Sequence, residues 1–132
     1  MTNLLDVNAL VALGFRGHEQ HESVARWTRG LADEDGFALC AITELGFVRV
    51  LNQAPQYQIA IDDARELIAR LKAGRKRVFR FIADDHGVAQ LPRWVKKGRQ
   101  TTDGHLAQLA KANGATLATL DQGIPGALLI PD

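Results

Sequence analysis

The sequence predicts an α/β fold: a mainly parallel central sheet with helices on both faces. Three observations carry that expectation. Short apolar runs alternate with longer segments of helical periodicity. Gly, Pro, Asn and Asp stand between them as turn signals. No repeat, low-complexity stretch or Pro/Gly-rich linker divides the 132 residues, a length that suits one domain, 1–132, with a core of its own.

The elements follow in order. Asn3–Val7 reads as a buried strand closing near Asp6, and the apolar run Asn8–Phe15 as the opening of a helix. His18–Leu31 places Val24, Trp27 and Leu31 at helical spacing, which puts Trp27 in the core or a dimer interface. After the polar turn Asp33–Gly36 comes a second strand, Phe37–Ile42. Thr43 then reads as the N-cap of a helix Glu44–Asn52. Ile59–Lys72 carries an amphipathic stripe that ends at Gly74. Val78–Ile82 is a third strand, and Asp84–Gln100 is irregular. Thr102–Ala112 is helical, Ala115–Leu120 a fourth strand and Ala127–Ile130 a short last one.

Hydrophobic residues at 46% and charged ones at 23% are ordinary for a folded soluble chain, so composition alone selects no special class. The longest apolar stretches, such as Ala9–Phe15, are too short to cross a bilayer, and no secretory leader is legible. The single cysteine, Cys40, cannot form an internal disulfide; it reads as a small core residue and fits a cytoplasmic location. The net charge of +1 conceals a polarisation. Between Arg70 and Arg99 stand ten Lys/Arg and two acids, Asp84 and Asp85, a local charge of +8. So dense a cluster points to a polyanionic partner, with the acidic remainder suited to cations.

Four carboxylates stand at turning points: Asp6 in LLDVNAL, Glu44 in CAITELGFVRVL, Asp103 in TTDGHLAQLA and Asp121 in ATLATLDQG. Ligands of open parallel sheets bind outside the carboxyl ends of the strands. Asp6, Glu44 and Asp121 belong to that rim, and Asp103 joins it if its helix runs over the same edge. Separately, Asp103 is an N-cap, Glu44 a partner of a helix dipole and Asp121 a turn residue. Asp6 has no such inexpensive explanation. Together they suit Mg²⁺ or Mn²⁺, which prefer oxygen ligands. Two such ions activate water for in-line phosphoryl displacement. Asn8 and Thr119 are placed to orient the acids by hydrogen bonds, and Thr43 adjoins Glu44.

The pieces LLDVNALVAL, HESVARW, CAITELGFVRVLNQ and TTDGHLAQLAKANGATLATLDQGI, in that order and spacing, resemble the PIN domain, in particular VapC-type toxins of bacterial type II toxin–antitoxin pairs. They cover about half the chain. The resemblance implies a PIN-like fold and a metal-dependent endoribonuclease, with Mg²⁺ or Mn²⁺ held by Asp6, Glu44, Asp103 and Asp121. It also implies a cognate VapB-type antitoxin, a homodimer, and structured RNA such as tRNA or rRNA as substrate. Two departures stand out: Gly104 and His105 follow Asp103 where the family often has Ala and an aromatic or aliphatic residue, and Gln122 replaces an acid sometimes found there. The family pattern matches least over Arg75–Gln100.

Within that basic segment Arg75, Lys76, Arg77, Lys96 and Lys97 are the expected phosphate contacts. Trp94, amid positive charge, either stacks on an unpaired base or packs on the core. His18 and His21 lack the H-E-x-x-H pattern of a zinc helix. His86 reads as a loop residue, and His105, two residues from Asp103, turns away from it. An inactive PIN-like module binding RNA or protein is the alternative, and the intact acid set argues against it. A phosphoacceptor receiver domain would need a late strand-end Lys that the chain lacks.

Overall fold

The computed structural model describes residues 1–74 and 76–132. Five strands form one parallel sheet in the order β3-β2-β1-β4-β5. They are β1 (Thr2–Leu5), β2 (Gly36–Cys40), β3 (Phe79–Ile82), β4 (Ala115–Thr119) and β5 (Leu128–Leu129). The helices are α1 (Val7–Gly14), α2 (His21–Arg29), α3 (Ala41–Gln53), α4 (Ile61–Ala73) and α5 (Thr101–Ala112). The order grows one way from β1 to β2 and β3, and the other way to β4 and β5. The switch point therefore lies between β1 and β4, where such sheets place their ligands.

Alternation along each strand divides the core in two. Leu5, Phe37 and Leu39 face α1–α4, packing with Leu10, Val24, Phe47 and Ile68. Leu4, Ala38, Cys40 and Leu117 face α5, packing with Leu106 and Leu109. Helices thus cover both faces, and the buried strands read as continuous apolar runs for that reason. Trp27 lies against Phe37, ring centroids 5.9 Å apart, and belongs to the first core.

The element boundaries differ from the sequence expectation where side chains bond to backbone. β1 stops at Leu5 because Asp6 caps α1. The second helix begins at His21 rather than His18, since His18 Nδ1 accepts from the Gln20 N–H at 3.0 Å and holds a turn. Thr43 is not an N-cap. Its Oγ1 accepts from the Cys40 N–H at 3.0 Å, so α3 begins at Ala41 and Thr43 sits one turn inside. Residues 83–100 contain two isolated 3-10 turns, Val88–Gln90 and Gly98–Gln100.

Gly46 governs how closely the first turns of α1 and α3 approach. A Cβ there would lie 2.5 Å from Val7 Cγ2, inside any real contact. That approach sets the separation of the backbones carrying Asp6 and Glu44.

Candidate functional site

Asp6 leaves β1 with extended backbone, its N–H donating to the Ala118 carbonyl at 3.1 Å. Its Oδ1 accepts from the Ala9 N–H at 2.8 Å, the bond of a helix N-cap. The acid therefore does have a structural use, contrary to the expectation drawn from sequence. Its Oδ2 accepts from the Thr119 hydroxyl, and Thr119 Oγ1 in turn accepts from the Asp121 N–H at 3.0 Å. One hydroxyl thus ties the end of β1 to the end of β4 across the switch point. Asp6 is 4% exposed. Burial pushes its carboxyl up to about 6, against the Thr119 and Ala9 hydrogen bonds, and the charges of Asp121 and Asp103 push the same way.

Asp103 lies in the first turn of α5. α5 runs antiparallel to β4, so its start returns to the carboxyl edge. Burial, then Asp121, raises its carboxyl above the usual range. Asp6 therefore feels the charges of Asp121 and Asp103, and Asp103 that of Asp121. Glu44 is turned elsewhere: Lys72 of α4 donates to its Oε2 at 2.8 Å. As the side chains stand, no three Asp, Glu, His or Cys groups among the described residues converge on one point that could hold an ion. The oxygen-only donor set, and a carboxyl raised by burial with two further acids near enough to add to the effect, nonetheless fit a hard divalent cation in chemistry.

Of the three residues expected to orient the acids, only Thr119 bonds a carboxylate. Asn8 is exposed in the first turn of α1 and makes no side-chain hydrogen bond among the described residues. Thr43 is spent on the Cys40 backbone.

The basic residues divide between two edges of the sheet. Arg77 donates to the carbonyls of Thr28, Leu31, Ala32 and Asp35, which close α2 and lead into β2. This is the amino edge, opposite the aspartates, and its guanidinium is consumed there. Lys76 precedes β3 at the same edge, beside Leu71 and Phe79. Both therefore lie at the edge opposite the aspartates; Arg75 lies outside the described residues. Lys96 and Lys97 are exposed in the loop before α5, where both backbone N–H groups donate to Gln100 Oε1. Trp94 is half-buried and packs on α5. A Cβ on Gly104 would lie 3.7 Å from its ring and 2.3 Å from Val95 Cγ2. The glycine that departs from the family pattern is what lets residues 92–95 seat on α5 beside Asp103.

His21 Nδ1 donates to the Ala12 carbonyl at 2.6 Å, tying α2 to α1. Sequence reasoning missed two pairings. Lys72 meets Glu44 across 28 positions, with no local signal. Asp84, after β3, takes a 2.6 Å contact from His105 Nε2. Burial works to raise the Asp84 carboxyl, but the His105 and His86 N–H bonds outweigh it and hold it low. The Asp84-Asp85-His86 run was the one available signal.

The PIN domain family model matches residues 4–126. Ribonuclease VapC38 of Mycobacterium tuberculosis is 41% identical over 125 residues, covering 92% of this chain and 86% of the relative. Ribonuclease VapC44 of the same organism is 40% identical over 129 residues, covering 94% and 89%. Among solved structures, the M. tuberculosis Sarcin-Ricin loop cleaving toxin VapC20 superposes with a TM-score of 0.64 at 12% identity, over 98% of this chain and 99% of that one, a likeness of fold. FitAB bound to a DNA fragment gives 0.59 at 26% identity, over 92% and 87%. No described helix is long and apolar enough to cross a membrane. The chain belongs to the PIN-domain family and, within it, to the VapC-type ribonucleases.

Proposed function

We propose that this chain is the toxin of a toxin–antitoxin pair, an endoribonuclease dependent on Mg²⁺ or Mn²⁺. The observation that carries the reading is the Thr119 hydroxyl joining Asp6 to the Asp121 backbone at the switch point, with the charges of Asp121 and Asp103 adding to the burial that raises the Asp6 carboxyl. Asp6 and Asp121 hold the cation, Asp103 completes the site, and Glu44 joins once it is released from Lys72. When bound, the cation supplies charge neutralisation and Lewis-acid stabilisation of the phosphate.

The chain's own groups do the rest. Thr119 and the Ala9 N–H hold the Asp6 carboxylate in one rotamer, so that ligand is oriented before substrate arrives. Lys96 and Lys97, in the loop before α5, screen the RNA phosphates. Water adds to phosphorus in line, the bond to the 3′ oxygen breaks, and that oxygen takes the proton, leaving a 5′-phosphate and a 3′-hydroxyl. The partners that go with this reading are a VapB-type antitoxin, a second copy of the chain, and structured RNA such as tRNA or rRNA in the cytoplasm. Relatives named ribonucleases at 36–41% identity support it.

Purified protein should cut total RNA into discrete fragments with Mg²⁺ or Mn²⁺ and leave it intact with chelator. Asp6→Asn should leave it intact under all conditions. Full cleavage by Asp6→Asn, or cleavage indifferent to chelator, overturns the assignment. RNA binding without cleavage by either protein replaces it with the binding-module reading.

A further inference from the structure

Beside α5, along the β4–β5 side of the sheet, two clefts adjoin. The first, about 470 Å³, is lined by Asp121 and Thr119 of the acidic site and by Leu129 of β5. The second, about 530 Å³, is lined by Trp94, by Gln108 and Lys111 of α5, and by Leu117 of β4. Pro125 lines both. They therefore make one groove, which begins at a site carboxylate and follows β4 back towards its amino end. From Thr119 to Ala115 that is a run of about 13 Å. The groove is open because α5 packs over β1, β2 and β4 through Leu106 and Leu109, and beyond it Leu129 is left 47% exposed.

The lining says what such a groove takes. Among the described residues Asp121 is the only charged side chain of the first cleft, and Lys111 the only one of the second. The carboxylate meets a phosphate through the cation that the ribonuclease reading gives it, whereas the lysine meets one directly. Leu117 and Leu129 lie between as an apolar floor. Trp94 reaches Gly104 in the first turn of α5, and Lys111 stands in the last, so ring and cation share one wall. Phosphate sites at both ends, with a ring and an apolar floor between, suit a single strand whose bases are free to stack. A duplex, with its bases turned inward, would leave ring and floor unused. At the 3.4 Å spacing of a stacked strand the run holds about four nucleotides.

We infer that this groove carries the unpaired stretch of RNA on one side of the cleaved bond, with a base stacked on Trp94 and a phosphate on Lys111. The inference rests on the ribonuclease reading and narrows its substrate. The cut falls beside several unpaired nucleotides, in a loop or a single-stranded end, and not within a helix.

The test follows Trp94 itself. The chain has two tryptophans, and Trp27→Phe, beside Phe37 in the first core, leaves Trp94 as the only one. Its fluorescence is titrated in Ca²⁺, with each RNA recovered intact. The probes are a single-stranded octamer, the same octamer paired to its complement, and a ribose-phosphate octamer without bases. The single strand should quench Trp94 saturably and bind about tenfold more tightly than the base-free chain, the size of one base stack. The duplex should leave the fluorescence unchanged. Lys111→Gln alters an exposed side chain, so the fold is not at stake. It should flatten the slope of log affinity against log salt by about 0.7, the share of one phosphate on a single strand. Trp94→Leu in the otherwise unaltered chain keeps an apolar group against α5 and should remove the tenfold advantage of the base-bearing strand. No quenching by the single strand, equal quenching by the duplex, an unchanged salt slope in Lys111→Gln, or an advantage that survives Trp94→Leu overturns the inference. So does a Trp94 signal that changes with protein concentration alone and is abolished by Leu129→Asp, which assigns this face to a second copy of the chain. Cleavage of total RNA is scored separately. Cleavage without quenching removes this groove alone, and quenching without cleavage removes the ribonuclease reading.

Discussion

Replacing Asp6 with Asn should make the metal-free protein more stable near neutral pH, although the same change abolishes the proposed activity. The folded chain holds the Asp6 carboxyl at about 6 against an ordinary value of 3.8. The folded state thus prefers the protonated acid. Stability that is present below pH 4 is lost as the pH rises towards 6, and the full cost applies above that. Two units correspond to about 3 kcal/mol, and for a chain of this size to a shift in Tm of roughly 10 °C. Asn keeps what the fold uses. Its Oδ1 caps the Ala9 N–H as well as Asp does, and its amide can still meet Thr119.

Thermal unfolding of both proteins in chelator, at pH 7.5 and pH 4.5, checks this. At pH 7.5 Asp6→Asn should melt higher, and at pH 4.5 most of the difference should disappear. Adding Mn²⁺ at pH 7.5 should raise the wild type and leave the variant nearly unmoved. A variant that melts lower at pH 7.5, or by the same margin at both pH values, refutes the reasoning. The fault would then lie in treating the buried charge, rather than the cap, as the dominant effect.

Three further outcomes follow from the packing. Lys72→Gln frees Glu44, so Mn²⁺ affinity measured by calorimetry should rise several-fold, while stability moves by less than about 1 kcal/mol because the pair is 38% and 26% exposed. Arg77→Met strips four carbonyls of their donor and should cost about 3 kcal/mol in urea unfolding, yet leave RNA affinity unchanged. Gly104→Ala should displace residues 92–95 at a cost of roughly 1–2 kcal/mol, the clash with Val95 exceeding the gain in helix propensity. Val95→Ala in the same chain should restore most of that stability.

The sheet, its helices and the strand-end positions of Asp6 and Asp121 were legible because they follow from local pattern. Apolar runs of four or five residues and the rule that ligands gather at carboxyl ends need no long-range information. Asp103 was less so. Its place at the same edge depends on α5 running antiparallel to β4, a property of the assembled layers. The boundaries at His18 and Thr43 slipped for another reason. A side chain bonding its own backbone competes with helix geometry, and composition does not show which wins.

The basic segment shows why charge density along a sequence misleads. Arg77 and Lys97 belong to one cluster in the linear chain, yet β3 runs between them, and a parallel sheet delivers the two ends of a strand to opposite edges. Arg77 therefore caps carbonyls below β2, and Lys96 and Lys97 stand in the loop that leads into α5. The same topology divides the three acids that sequence placed together at the rim. Asp6 and Asp121 are joined through Thr119 because β1 and β4 are neighbours at the switch point. Glu44, one helix further on, is left to Lys72. The strand order explains both results: the acids at the ends of neighbouring strands share one hydroxyl, and the acid one strand further out pairs with a lysine instead.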